Sequence, residues 1–211
     1  AASGVEISDV SCYQSGSGKT KALGSAESGQ IELLVNADGS EAETCGNGLR
    51  CAAKFLRDVR GVKDTPLKIE TLAGVKTLTP ALNGRGETES VCAEMGRAEF
   101  AAEKIPVLLS PDARGEVVAR QVRLRGITFE ITCVSYGNPH CVTFSPQAAE
   151  NFGLLGEAAE NAPFFPRRAN AEFVTIVGAA DFFVRVFERG SGETFACGSG
   201  ACAVAAAAVK N

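Results

Sequence analysis

Short apolar runs punctuated by turn residues dominate this chain. Runs at residues 30–35, 67–72, 127–134, 141–144, 173–177 and 182–188 are β-like and sit between clusters of Gly, Asn, Asp and Pro. Such clusters mark turns, so each run predicts a β-strand. Residues 47–59 have a different period. Leu49, Ala52, Ala53 and Leu56 recur at helical spacing with charge on the other side, which predicts an amphipathic helix. Residues 199–210 are almost all alanine and small apolar residues. Alanine is the best helix former, and a helix apolar all round is predicted to be buried. Residues 84–90 and 110–115 predict surface loops, and the second is the expected interdomain region. Residues 1–29 show only faint apolar periodicity. The pattern as a whole predicts a mixed α/β protein.

Composition narrows the class. A chain of 211 residues allows one large domain or two small ones. With 45% hydrophobic and 22% charged residues, it can build a packed core and is not expected to be disordered. The net charge is −4 and no basic stripe is present, which disfavours a nucleic-acid partner. The longest uncharged apolar-rich run, residues 195–209, is shorter than the roughly 20 residues a membrane helix needs, so no membrane partner is expected. The first twenty residues lack a charged start followed by an apolar stretch, so no signal peptide is expected. Eight cysteines include no C-x-x-C pair, and His140 is the single histidine. The usual zinc patterns therefore find no ligand set, and no metal is expected. The cysteines are expected to be packing residues or reactive thiols of a reduced, cytoplasmic protein.

The chain repeats itself at one point of chemical interest. Residues 39–52 read GSEAETCGNGLRCA and residues 190–203 read GSGETFACGSGACA. Each copy has a small acidic turn, then Cys-Gly-polar-Gly, then a second cysteine and an alanine-containing helix. A cysteine just ahead of a helix lies near exposed backbone N–H groups and the positive end of the helix dipole. That setting favours a thiolate. The glycines admit a ligand close to the backbone, and the same N–H groups can bind a carboxylate. Two such mouths suit inversion of a stereocentre: one thiolate removes a proton from a carbon, and the other thiol donates a proton on the opposite face. Amides or N–H groups holding the carboxylate would stabilise the carbanion-like transition state.

ETCGNGLRC and ACGSGAC, with YGNPHCV at 136–142 and FERGSGET at 187–194, resemble the diaminopimelate epimerase family. The resemblance runs from about residue 36 to residue 209. It implies two pseudo-symmetric α/β halves, placed at 1–109 and 110–211, each with strands wrapped around a central helix. It also implies inversion of LL-diaminopimelate to the meso form without pyridoxal phosphate or metal. Carried over by motif, Cys45 and Cys197 become the acid/base pair. Asn36 in NADGS, Asn138 in GNPH and Asn170 in RRANAEF resemble substrate-contacting asparagines. Gly46 and Asn47, and likewise Gly198 and Ser199, resemble the residues that receive the α-carboxylate. Glu188 and Arg189 resemble a pair that holds the substrate's polar groups. His140 is expected to support its loop, and Cys51 and Cys202 to pack inside their helices. The partner implied is a small amino-acid substrate, and a homodimer is an assembly open to it.

The chain departs from the family near its start. Where the family has a glycine-rich loop ending Gly-Asn-Asp-Phe, this sequence has Gly16-Ser17-Gly18-Lys19-Thr20. Those residues match the end of a phosphate-binding loop, but that motif needs glycine where Tyr13 stands, so nucleotide binding is disfavoured. Two other readings stay open at this level. One is a related cofactor-independent racemase, or an isomerase of unsaturated acids. The other is a thiol switch without catalysis.

Overall fold

The computed structural model describes residues 21–24, 31–35 and 43–211. Its contacts divide the chain into two units, Ala1–Gly96 and Arg97–Asn211. The division falls earlier in the sequence than the 110–115 loop, which is an exposed turn built around Asp112.

The first unit holds an antiparallel pair, β1 (Lys21–Gly24) and β2 (Ile31–Val35), then helix α1 (Gly46–Asp58). An antiparallel sheet in the order β3 (Leu67–Ile69), β4 (Lys76–Leu82), β5 (Thr88–Ala93) follows. The helical stripe legible in the sequence is the one that packs: Leu49, Ala52, Ala53 and Leu56 bury against Leu67, Ile69 and Leu78. Cys51 departs from expectation. It lies off that stripe and is exposed, so it does not pack inside the helix. The end of α1 is tied to the sheet by Asp58, whose carboxylate accepts from the Thr88 amide at 3.0 Å and the Thr88 hydroxyl at 2.7 Å. With Lys54 also donating to it, Asp58 has its pKa drawn down to about 2. Strands β4 and β5 were not evident in the pattern, and β4 contains Pro80, which cannot donate to a neighbouring strand. The register accommodates it: β3 begins at Leu67, opposite Leu78, so Pro80 lies beyond the pairing and needs no partner on that side.

The second unit is a six-stranded sheet in the order β11-β10-β9-β8-β7-β6. Its strands are β6 (Arg120–Leu124), β7 (Ile127–Ser135), β8 (Pro139–Thr143), β9 (Asn170–Ile176), β10 (Phe182–Glu188) and β11 (Gly192–Thr194). Neighbours are antiparallel except β8 and β9. A parallel pair needs a crossover, and helices α2 (Pro146–Glu150) and α3 (Phe152–Glu160) lie within it. Side chains alternate between two cores. Ile131, Cys133, Cys141, Ala171 and Phe173 meet Phe152, Leu155 and Ala159 on one face. Val134, Val142 and Val174 meet Ala203, Val204 and Ala207 of helix α4 (Gly198–Lys210) on the other. Burial on both faces is why these strands read as near-continuous apolar runs.

Helix α4 is less buried than its composition suggested. It buries a stripe of Ser199, Gly200, Ala203, Val204 and Ala207, while Val209 is 88% exposed. Cys202 is only half-buried, another departure from expectation. Alanine carries too little apolar surface for its burial to be compulsory. Helix α3 escaped the sequence pattern because Gly153 and Gly156 weaken it, at about 1 kcal/mol each relative to alanine. Gly156 has a packing reason: a Cβ there would stand 2.7 Å from Phe187 Cδ2. Among the described residues, no helix is long and apolar enough to cross a membrane.

Candidate active site

The two copies of the repeat fold alike. Cys45 caps α1 with φ −134° and ψ 106°, and its Sγ accepts from the Gly48 N–H at 3.3 Å. Cys197 caps α4 with φ −123° and ψ 115°, and its Sγ accepts from the Gly200 N–H at 3.3 Å. Both helices have 13 residues. Helix caps are normally Ser, Thr, Asp or Asn, so a sulfur in this position twice over is a chemical choice rather than a folding one. Each cap leaves a half-buried thiol at the positive end of a helix.

In the first unit, Gly46 opens α1 and is buried, with Met95 beside it; a Cβ on Gly46 would stand 3.7 Å from the Met95 sulfur. Asn47 follows, its Oδ1 accepting from the Arg50 guanidinium. Asn36 lies outside the described residues.

In the second unit, the face of β8, β9 and β10 that meets α4 turns from apolar to polar beside the first turn of the helix. Val142 and Val174 give way, two residues earlier in each strand, to His140 and Glu172, both fully buried. His140 Nδ1 lies 2.7 Å from Glu172 Oε1, and His140 Nε2 lies 3.1 Å from Asn138 Oδ1. Asn138 Nδ2 donates to Ser199 Oγ at 3.4 Å, and Ser199 Oγ is 3.5 Å from Cys197 Sγ. Asn170 accepts from the Arg189 amide at 2.9 Å and donates to the Pro139 carbonyl at 3.4 Å, which ties β9 to the start of β8 and to the end of β10. The Arg189 guanidinium donates to the Arg167 carbonyl at 3.3 Å. Glu188 accepts from the Thr194 hydroxyl and is in hydrogen-bonding contact with Cys197.

The electrostatics of this mouth run against an anion at rest. Burial pushes the Cys197 thiol above the usual thiol range, and the Glu188 and Glu172 carboxylates add to the effect. The contacts from Ser199 and the Gly200 amide act the other way. Burial likewise pushes the Glu188 carboxyl up, against the hydrogen bond from Thr194. Cys197 therefore holds its proton, beside a carboxyl that holds its own more tightly than usual.

Five of the sequence-derived site residues thus meet around the first turn of α4, namely Asn138, Glu188, Cys197, Gly198 and Ser199, while Asn170 and Arg189 bond to one another at the ends of β9 and β10. Cys45, Gly46 and Asn47 meet at the first turn of α1. Glu172 went unnoticed in the sequence. Its signal was present: an acidic residue within the apolar run NAEFVTI needs a buried partner, and His140 supplies it. Among the described residues, no group of three or more His, Cys, Asp or Glu is placed to hold a metal ion.

This mixed α/β fold is shared with solved structures of a racemase and an epimerase. The fold matches a probable proline racemase from Agrobacterium radiobacter, with a TM-score of 0.60 at 13% identity over 84% of this chain and 56% of that one. It matches a hydroxyproline epimerase from Agrobacterium vitis equally well, at 12% identity over 84% of this chain and 55% of that one. The sequence model of the diaminopimelate epimerase family matches residues 9–101 and 132–211, and the chain belongs to that family. Relatives include the diaminopimelate epimerases of Synechocystis sp. (45% identical over 83% of this chain and 61% of the relative) and Desulfitobacterium hafniense (42% over 84% and 62%). Diaminopimelate epimerase 1 of Nostoc sp. is 46% identical over 83% of this chain and 62% of its own length. The chain spans about three fifths of the length of these relatives.

Proposed function

We propose that this protein interconverts LL- and meso-diaminopimelate, with Cys45 and Cys197 exchanging the α-proton from opposite faces of the substrate and no cofactor taking part. The observation that carries the proposal is the matched pair of cysteine caps, each sulfur 3.3 Å from the amide three residues on. In the direction where Cys45 removes the proton, Cys197 is the acid, which agrees with a thiol that burial and the Glu188 carboxylate keep protonated. The substrate carboxylate binds the N–H groups that open the helices, at Gly46 and Asn47 and at Gly198 and Ser199. Asn36, Asn138 and Asn170 supply neutral amides for the remaining polar groups. Glu188 faces the substrate ammonium, and Arg189 a carboxylate. Each positioned acid or base contributes roughly 10²–10⁴-fold to the rate. Both thiols must stay reduced, which suits the cytoplasm.

The test is incubation with LL-diaminopimelate in deuterium oxide under reducing conditions, followed by chiral chromatography and mass spectrometry. Deuterium enters an α-carbon and the meso isomer forms. Cys45→Ala and Cys197→Ala each abolish inversion while circular dichroism and melting stay near the parent. A folded, reduced protein that exchanges no deuterium refutes the activity. Full turnover in either single variant refutes the two-thiol scheme.

A further inference from the structure

The polar contacts beneath α4 form one unbroken series: Glu172 Oε1, His140 Nδ1 and Nε2, Asn138 Oδ1 and Nδ2, Ser199 Oγ, Cys197 Sγ. Five side chains on three segments, β8 with its leading loop, β9 and α4, join a fully buried carboxylate to the candidate acid. Every internal member can both donate and accept, so the series can run in either of two directions. With both His140 nitrogens protonated, Nδ1–H donates to Glu172 and Nε2–H to Asn138 Oδ1. The Asn138 amide then donates to Ser199 Oγ. That leaves the Ser199 hydroxyl proton free to donate to Cys197 Sγ. With Nε2 unprotonated, the Asn138 amide turns its NH₂ to the ring and its oxygen to Ser199. The Ser199 hydroxyl then donates away from the sulfur, and Cys197 S–H donates to Ser199.

We propose that Glu172 is a positioning residue that sets the direction of this relay, so that a protonated His140 and a Cys197 thiolate favour one another through Asn138 and Ser199. The buried carboxylate is built for that task. Its Oε1 is committed to His140, its Oε2 is buried with no hydrogen-bond partner among the described residues, and it sits against Gly200 in the first turn of α4. An imidazolium is the charge that best compensates such a group. The relay deepens the proposed function by naming what governs the proton on one of its two thiols. Its test uses no substrate, so it can fail without the choice of diaminopimelate failing, and the reverse.

The groups that face Cys197 give the test its sign. Glu188 on β10 and Glu172 on β9 are the carboxylates that act on the sulfur, His140 on β8 lies within reach of both, and Cys141 and Cys133 are buried thiols on the other face of the sheet. Acting through space alone, Glu172 raises the Cys197 pKa, so its removal would free the thiolate. Acting through the relay, it does the opposite. The rate of iodoacetamide alkylation of Cys197 in the full chain, followed at pH 9 by peptide mass spectrometry, reads the thiolate fraction. Glu172→Gln lowers that rate roughly tenfold, the equivalent of one pH unit. Ser199→Ala lowers it by a similar factor, and Ser199→Thr, which keeps the hydroxyl, restores it. The double variant Glu172→Gln/Ser199→Ala is no slower than the slower single one, because both break the same series. Faster alkylation in Glu172→Gln, or slowing in the double variant by the product of the single factors, overturns the proposal.

Discussion

Gly200→Ala tests the packing that the α4 mouth depends on. Gly200 is the third residue of the helix, where alanine alone would add about 1 kcal/mol of helical preference over glycine. The structure opposes that gain. A Cβ at Gly200 would stand 2.8 Å from Glu172 Oε1, 3.2 Å from Cys197 Cβ and 3.3 Å from Cys197 Sγ. The first of these distances lies inside van der Waals contact, and the carboxylate is held at 2.7 Å by His140 in a fully buried site. Overpacking of this kind costs about 1–3 kcal/mol, with a weakened carboxylate–imidazole bond adding about 1 kcal/mol. Set against the helical gain, the expected net loss is about 1–3 kcal/mol. At roughly 2–4 °C per kcal/mol for a chain of this size, the melting temperature falls by about 2–12 °C. Gly153→Ala on α3 is the control, because no atom of the described residues lies within 4 Å of its Cβ position. It is expected to stabilise by about 0.5–1 kcal/mol. Calorimetry of both variants, with the rate of Cys197 alkylation, decides the matter. A Gly200→Ala protein as stable as Gly153→Ala, with parental thiol reactivity, would show that Glu172 yields freely and does not fix the mouth.

Two further outcomes follow from the first unit. Lys76 is 6% exposed, its ammonium donates to the Met95 carbonyl at 3.1 Å, and burial draws its pKa below 10.5. Between that lowered value and 10.5 the unfolded chain binds more protons than the folded one, so stability rises with pH through this window. Lys76→Met removes the rise in melts recorded from pH 7 to pH 10.5, and an unchanged slope would assign it to another group. Cys51→Ala changes stability by no more than about 0.5 kcal/mol and leaves turnover intact, because the side chain is exposed; loss of turnover in a folded Cys51→Ala protein would move the catalytic assignment from Cys45 to its neighbour.

What the sequence disclosed divides along physical lines. Strands β7, β8 and β9 were legible because burial on both faces over much of their length demands apolar runs. Helix α1 was legible because one face alone is buried and Leu49, Ala52, Ala53 and Leu56 mark it. Strand β5 was not, since TESVCA lies mostly exposed and shows no apolar alternation. The cysteine caps stood out because a repeat of Cys-Gly-polar-Gly has few structural reasons to occur twice. Glu172 and His140 did not stand out as a pair. Thirty-two positions separate them, and only the parallel register of β8 and β9, which sets His140 opposite Asn170, brings them into contact.

The two mouths share a backbone and differ in what surrounds the sulfur, and that difference bears on function. An inversion that moves a proton from one side of a carbon to the other needs one sulfur charged and one protonated at the start of each turnover. Identical surroundings would leave the two states degenerate. The repeat supplies the common part: a cap, a 3.3 Å amide contact and a glycine on each side of the polar residue. The polar residue itself breaks the symmetry. Asn47 is engaged by Arg50 one turn along its own helix, whereas Ser199 is engaged by Asn138 and, through it, by a buried His140–Glu172 pair. In the proposed scheme burial and Glu188 keep the Cys197 proton in place, so the second mouth starts as the acid. Reversal in that scheme requires a means of tolerating the charge once the proton has left, which is the task proposed for the relay beneath α4.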